Sequence, residues 1–197
     1  VKDKEEKRKY LSLVHRESER MANIVSDLLV LSKLEAKQLE LEKVPLPLAQ
    51  LVEDALEKYH LPMKEKGLEL IIDMDPEIIV NGDATKIEEV IQNIMDNAIN
   101  YTNKGSITVK LGKHKDGCSL LFKDTGIGIP KEDLGRITER FFRVNKARSR
   151  SDGGTGLGLA ITKNIVQLHG GKLLIRSELG KGTEVEVILP AIEFEEN

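Results

Sequence analysis

The stretch Asp124-Thr125-Gly126-Ile127-Gly128-Ile129-Pro130 follows closely on an apolar run, Leu120, Leu121 and Phe122. The run reads as a buried strand. The alternating glycines read as a turn where the backbone approaches something closely. Asp124 thus stands at a strand end beside bare backbone. Asp-x-Gly-x-Gly is also a common surface turn, so this stretch alone leaves both readings open.

A carboxylate placed at such a strand end can accept hydrogen bonds from a flat ligand. Adenine presents an exocyclic amino donor there and guanine a carbonyl. Asp124 favours the first, because a buried acceptor facing another acceptor is left unpaired. Three further stretches bear on this choice. Asn93 and Asn97 lie four residues apart in a helical segment, 83–101. Helical spacing puts them on one face, with Asn100 and Tyr101 close to it. Gly153-Gly154-Thr155-Gly156-Leu157-Gly158 is a glycine-rich loop running into a helix. A helix N-terminus with free N–H groups is a site for phosphate. Gly180-Lys181-Gly182-Thr183 forms a tight turn before a final strand.

In this order, the four stretches resemble the ATP-binding domain of bacterial sensor histidine kinases. That domain belongs to a superfamily that includes gyrase, a heat-shock chaperone and mismatch-repair ATPases. Residues 93–102 resemble its asparagine box, 124–130 its first glycine box, 136–144 its phenylalanine box and 154–159 its second glycine box. The resemblance implies an α/β two-layer sandwich, with a mixed five-stranded sheet and three helices on one face. It implies ATP and Mg²⁺ as cofactors. The implied nucleotide contacts are Asn93, Asn97, Asn100, Tyr101, Asp124, Gly126, Gly128, Ile129, Arg143, Gly154, Thr155, Gly156, Leu157, Gly158 and Thr183.

Asn97 is similar to the residue that holds the magnesium ion, and an amide oxygen is a hard neutral ligand suited to it. Asn93 stands where hydrolysing members carry a glutamate as general base. An amide cannot take a proton, so phosphoryl transfer is favoured over hydrolysis. Two positions depart from the pattern. Asn100 stands where the family often has lysine, and Thr138 where the phenylalanine box usually begins with phenylalanine.

Residues 2 to about 42 read as one long helix without glycine or proline. Leu11, Val14, Ser18, Met21, Val25, Leu28 and Ser32 recur at spacings of three and four, with Ile24 and Leu31 alongside. That is a heptad-like stripe. About 40 residues extend roughly 60 Å, too long to pack wholly on one small domain. This arm, residues 1–43, resembles the second helix of the family's dimerisation and phosphoacceptor hairpin. Residues 44–197 then form the ATP-binding domain, with a lid at about 127–155.

Val44-Pro45-Leu46-Pro47 reads as the break between them. A second amphipathic helix follows over 48–66, kinked or shortened by Pro62. Strands are expected at 68–74 and 78–80, then a turn at Asn81-Gly82, with Asp83 as N-cap of the asparagine helix. Ile87, Val90, Ile91, Ile94 and Ala98 form that helix's core stripe. A hairpin over 106–112 and 119–123 turns at Lys115-Asp116-Gly117. The lid carries Arg136, Arg140, Arg143, Lys146, Arg148 and Arg150, a candidate triphosphate clamp. A helix over 156–169, strands at 172–177 and 183–189, and an acidic tail over 193–197 complete the chain.

With 197 residues and a formal net charge of −3, the chain lacks the basic excess of a nucleic-acid binder. One cysteine, Cys118, excludes an internal disulfide framework and fits a strand position in a reducing compartment. No apolar run reaches the roughly 18 residues of a membrane span. A cytoplasmic location is expected, with any membrane segment outside this chain.

None of the four histidines sits in the family's phosphoacceptor motif. His15 is expected to face solvent on the arm, His60 lies near a helix end, His114 in a hairpin turn, and His169 at a helix C-terminus where charge is favourable. The reading is therefore a sensor histidine kinase core. It transfers the γ-phosphate of ATP to a histidine absent from this chain, and thence to an aspartate of a response-regulator receiver domain. The resemblance also implies a homodimer through the hairpin. A non-catalytic ATP-binding module and an anti-sigma-type serine kinase are the alternatives, and the heptad-like arm argues against the second.

Overall fold

The fold follows from where the apolar stripes lie. In this computed structural model, the described residues are 2–36, 38–144 and 155–192. A five-stranded sheet is built from β2 (Leu68–Met74), β4 (Gly105–His114), β5 (Gly117–Asp124), β6 (Lys172–Glu178) and β7 (Gly182–Leu189). Its order is β2-β4-β5-β7-β6, with β2 parallel to β4 and the remaining pairs antiparallel. Strand alternation sends Ile107, Val109, Leu111, Leu120, Phe122, Val185 and Val187 into one buried layer. The opposite face carries ion pairs, among them Lys123 with Glu184 and Arg176 with Glu186.

The helices α2 (Leu48–Glu57), α3 (His60–Lys66), α4 (Ala84–Tyr101) and α5 (Gly158–Leu168) cover the apolar layer. The expected stripe of α4 is buried throughout, joined by Met95 and Ile99. Asp83 caps α4 as its spacing predicts, accepting the Lys86 N–H at 3.1 Å.

Where the pattern predicts one helix over 48–66, two form, separated at Lys58–Tyr59. The cause is Pro62. It lacks an N–H and its ring would strike the carbonyl four residues back, that of Lys58. The proline therefore breaks the helix upstream of itself.

Residues 44–47 are a strand, β1 (Val44–Pro47), and not merely a break. It pairs antiparallel with β3 (Ile79–Gly82), which absorbs the Asn81-Gly82 turn expected from sequence. The Leu48 N–H donates to the Ile78 carbonyl. With the Leu48 N–H on Ile78, the alternation of the ladder aims the Val44 and Leu46 nitrogens at β3 and those of Pro45 and Pro47 away from it, where no donor is needed.

The arm, α1, spans Lys2–Glu35 and ends earlier than the expected residue 42. No helix breaker lies between. Tertiary contacts intervene: the Glu42 N–H bonds Asp83 Oδ2 and the Lys43 ammonium bonds the Leu168 carbonyl, drawing the chain out toward β1. The arm has two unlike faces. Leu31 is buried in the main core with Val30 and Leu34 against it. Leu11, Val14, Met21, Val25 and Leu28 remain exposed. Among the described residues, no helix is long and apolar enough to cross a membrane.

Candidate functional site

Asp124 ends β5, and the sheet register sets Thr183 of β7 opposite it and Ser177 of β6 opposite Thr183. Three polar side chains thus continue the apolar layer at one end of the sheet. Asp124 is 8% exposed, and its Oδ1 accepts the N–H groups of Gly126 at 2.8 Å and Thr183 at 3.2 Å. Burial pushes this carboxyl above the usual range, opposed by those two backbone donors and the Thr102 hydroxyl. Both backbone hydrogen bonds fall on one oxygen, leaving Oδ2 outside that pairing.

The turn after Asp124 is stitched into place. The Ile127 N–H donates to the Tyr101 carbonyl, and the Gly180 N–H to the Ile127 carbonyl. The Ile129 N–H donates to Ser177 Oγ at 2.9 Å. Gly128 has φ +67, and a Cβ there would run into the Glu178 carbonyl. A side chain is excluded twice, by conformation and by space. Tyr101 is 41% exposed at the end of α4, beside this turn.

Farther along α4, Asn97 is half-buried, Asn100 is exposed and Asn93 is half-buried. Asn93 faces the start of α5: a Cβ on Gly158 would lie 3.0 Å from its Oδ1. The asparagine face and the glycine-rich loop, far apart in sequence, therefore meet. Leu157 is fully buried, and its N–H donates to Thr155 Oγ1 at 3.1 Å. Gly156 has φ +74 and its carbonyl accepts the Phe141 N–H at 2.9 Å. Phe141 is itself in the left-handed region, at φ +60, an uncommon state for a bulky residue.

Before Phe141 the lid segment is a run of turns. Thr138 does not supply the missing aromatic anchor; the neighbouring Ile137 is buried in its place. The Arg136 guanidinium lies 4.4 Å from the Phe142 ring centre. Arg136, Arg140 and Arg143 line a cavity of about 240 Å³ together with Phe141 and Phe142. Gly154, with Lys146, Arg148 and Arg150, lies outside the described residues.

The structure also places a residue that no motif marked. Thr155 Oγ1 donates to Asp27 Oδ2 of α1 at 2.9 Å. Burial raises the Asp27 carboxyl's pKa, the Thr155 bond lowers it, and Glu89 adds a smaller upward push. Ser177 is a second such residue. Only the tertiary arrangement and the strand register expose them, and neither is written in local pattern.

His169 meets the C-terminus of α5 as expected, but without the expected charge. It is buried, its Nδ1 meets the Ile165 carbonyl at 2.8 Å, and its Nε2 accepts the Asp83 N–H at 3.0 Å. An acceptor nitrogen must be unprotonated, and burial lowers its pKa, so it acts as a neutral linker rather than a charge at a helix end. His15 is exposed beside Glu19. Cys118 is buried in β5, its thiol pushed up to about 11 by burial. Among the described residues no cluster of His, Cys, Asp or Glu could hold a metal ion by itself.

Comparison with known proteins agrees with this geometry. Residues 82–193 match the histidine kinase-, DNA gyrase B- and HSP90-like ATPase family, and residues 2–37 the His Kinase A (phospho-acceptor) domain. The sensor histidine kinase WalK of Bacillus subtilis (strain 168) is 36% identical over 96% of this chain and 31% of its own length. The sensor protein SrrB of Staphylococcus aureus is 34% identical over 98% of this chain and 33% of its own. The chain thus spans about a third of these relatives. Among solved structures, full-length ShkA in complex with AMPPNP superposes with a TM-score of 0.81, at 25% identity, over 95% of this chain and 39% of that one. The Acinetobacter baumannii histidine kinase AdeS gives 0.74 at 26% identity, over 91% of this chain and 83% of that one. With its asparagine face brought against the glycine-rich helix start, the chain belongs to the histidine kinase-, DNA gyrase B- and HSP90-like ATPase family, and the relatives it resembles are bacterial sensor kinases.

Proposed function

We propose that this chain binds Mg²⁺-ATP and directs its γ-phosphate to a histidine, as the kinase core of a two-component sensor. The carrying observation is the meeting of Asn93 with Gly158, which joins the asparagine face to a helix N-terminus. In this reading Asp124 Oδ2 accepts from the adenine amino group, and Gly126, Gly128 and Ile129 flank the base. Tyr101 covers it, while Asn100 and Arg143 stand toward the phosphates. The N–H groups at Thr155, Gly156, Leu157 and Gly158 complement phosphate charge, with Gly154 at the loop's edge. Thr183 holds Asp124.

Asn97 is the residue suited to Mg²⁺. A single protein oxygen fits this ion, which keeps waters and phosphate oxygens as its other ligands. When bound, the ion neutralises phosphate charge; the chain's own part is positioning and charge compensation rather than covalent chemistry. Asn93 has no basic atom to activate water, which favours transfer over hydrolysis. The acceptor is a histidine outside this chain's four, carried on a hairpin of which α1 is one helix. The exposed stripe Leu11, Val14, Met21, Val25 and Leu28 is the surface for that bundle and for a second copy, and a response-regulator receiver domain takes the phosphate next.

Radiolabelled ATP tests this. The chain alone should yield bound nucleotide and almost no acid-labile phosphoprotein; a supplied histidine-bearing helix should restore transfer, and Asn97→Ala should abolish it. A strong phosphohistidine signal mapped to His15, His60, His114 or His169 would reject the assignment of the acceptor.

A further inference from the structure

We propose that Ser177, although it lies in none of the four motifs, is a positioning residue that sets the base preference of this site. This rests on the ATP reading above. The register lines up Asp124, Thr183 and Ser177 across β5, β7 and β6. Ser177 Oγ makes three contacts: Ile129 N at 2.9 Å, the Gly182 carbonyl at 2.7 Å and Thr183 Oγ1 at 2.9 Å.

A hydroxyl has one proton and two lone pairs. One lone pair is taken by the Ile129 N–H, which has no other role than donor. The Gly182 carbonyl can only accept, so it takes the Ser177 proton. The second lone pair is then left for the Thr183 hydroxyl, which must donate. Every valence of Ser177 is used, and the Thr183 proton is committed inward. Thr183 therefore shows only lone pairs to its remaining surroundings, beside the Asp124 carboxylate that its own N–H holds at 3.2 Å.

The consequence is a site that presents acceptors from two strands. An amino donor on the base is matched; a carbonyl meets lone pairs and is left unpaired. Without Ser177 the Thr183 hydroxyl can rotate and offer its proton instead, and the Ile129 end of the glycine turn loses its tether. Ser177 thus acts through Thr183 and Ile129 on a ligand it does not itself need to touch.

The test is calorimetric titration with AMPPNP and with GMPPNP, in Mg²⁺, of the wild-type chain, S177A, S177T, T183V and the S177A/T183V pair. S177A should lose about tenfold in AMPPNP affinity, one hydrogen bond's worth. Its GMPPNP affinity should change by less than about twofold, so that the preference ratio falls. S177T keeps the hydroxyl and should restore the ratio. The double variant should lose no more discrimination than T183V, since both act through one hydroxyl. A wild-type ratio in S177A, or an S177T as unselective as S177A, would overturn the proposal. If S177A does not fold, T183V decides: an unchanged ratio overturns it and a lowered ratio supports it. A wild-type chain that binds neither nucleotide would remove the ATP reading and this inference together. Wild-type binding with discrimination untouched in the variants removes only this one.

Discussion

In the proposed ATP site, the base end around Asp124 and the phosphate end around Thr155 are held in different ways. Around Asp124 the support is short-range and closed. Carboxylate, glycine turn and the β6–β7 turn bond one another, all within the sheet end. At Thr155 the support comes from elsewhere. The loop leans on Phe141 of the lid segment and on Asp27 of the arm, 128 residues away in sequence. Under the proposed ATP reading, a base pocket closed on itself would stand beside a phosphate loop bonded to the arm, and nucleotide binding would reach the arm through Thr155 and Asp27. In that reading the base end selects the ligand, and the phosphate end links it to the rest of the molecule.

The sharpest break in this comparison is Asp124→Asn. It should weaken ATP binding by about 1–3 kcal/mol, because an amide turns toward the base with a donor in place of an acceptor. Titration calorimetry measures this, and unchanged affinity would reject the base end as drawn. The same variant should gain stability without ligand. The Asp124 carboxyl is raised by burial, so the wild type is favoured when this group is neutral. Its contribution is complete below the ordinary carboxylate pKa and is lost as pH rises through the folded value. Urea midpoints of wild type and variant should therefore diverge from acid toward neutral pH, with the variant higher.

Glycine substitutions separate the two regions next. Gly128→Ala forces a side chain into positive φ and against the Glu178 carbonyl. A cost of about 1–2 kcal/mol in unfolding free energy is expected. Gly135, in the lid segment, has open space where a Cβ would stand and no positive φ. Gly135→Ala should be neutral or stabilising, by about 0.4–1 kcal/mol at most. Equal costs at both would erase the contrast.

What is legible in the sequence divides along the same line. The strand 68–74, the α4 core stripe and the Asp83 cap are local patterns, and they stand where periodicity and capping chemistry put them. The break at Lys58–Tyr59 escapes a local reading because a proline acts on the carbonyl four residues before it. The arm's end at Glu35 escapes it because nothing local stops that helix; contacts of residues 42 and 43 with α4 and α5 do. Asp27 and Ser177 are hidden for a related reason. Each is an ordinary polar residue whose meaning depends on which strand or helix lies opposite.

Hydrogen exchange gives the third test. Amides in residues 136–144 and 155–158 should slow by about tenfold on adding Mg²⁺-ADP, roughly 1.4 kcal/mol of local protection. The Gly126, Ile127 and Ile129 amides, already hydrogen-bonded to Asp124, Tyr101 and Ser177, should change less. Equal slowing in both segments would mean that the phosphate end is as closed as the base end before nucleotide arrives.

The smallest effect expected is at Asp27. Its carboxylate accepts from Thr155 close to the start of α5, where N–H groups carry partial positive charge. A phosphate approaching that helix start meets a carboxylate drawn to the same charge. Asp27 therefore does two opposed things: it orders Thr155 and it disfavours an anion beside it. Ordering is the lesser of the two, because Thr155 also accepts the Leu157 N–H, which survives the loss of Asp27. Asp27→Ala should consequently strengthen nucleotide binding by about 0.5–1 kcal/mol at low salt, with the gain shrinking as salt is added. Asp27→Asn keeps a hydrogen-bond acceptor without the charge and should gain as much, which assigns the effect to charge rather than to the bond. Calorimetry at two ionic strengths reads both. Weaker binding in either variant would show that the arm supports the phosphate loop rather than competing for it.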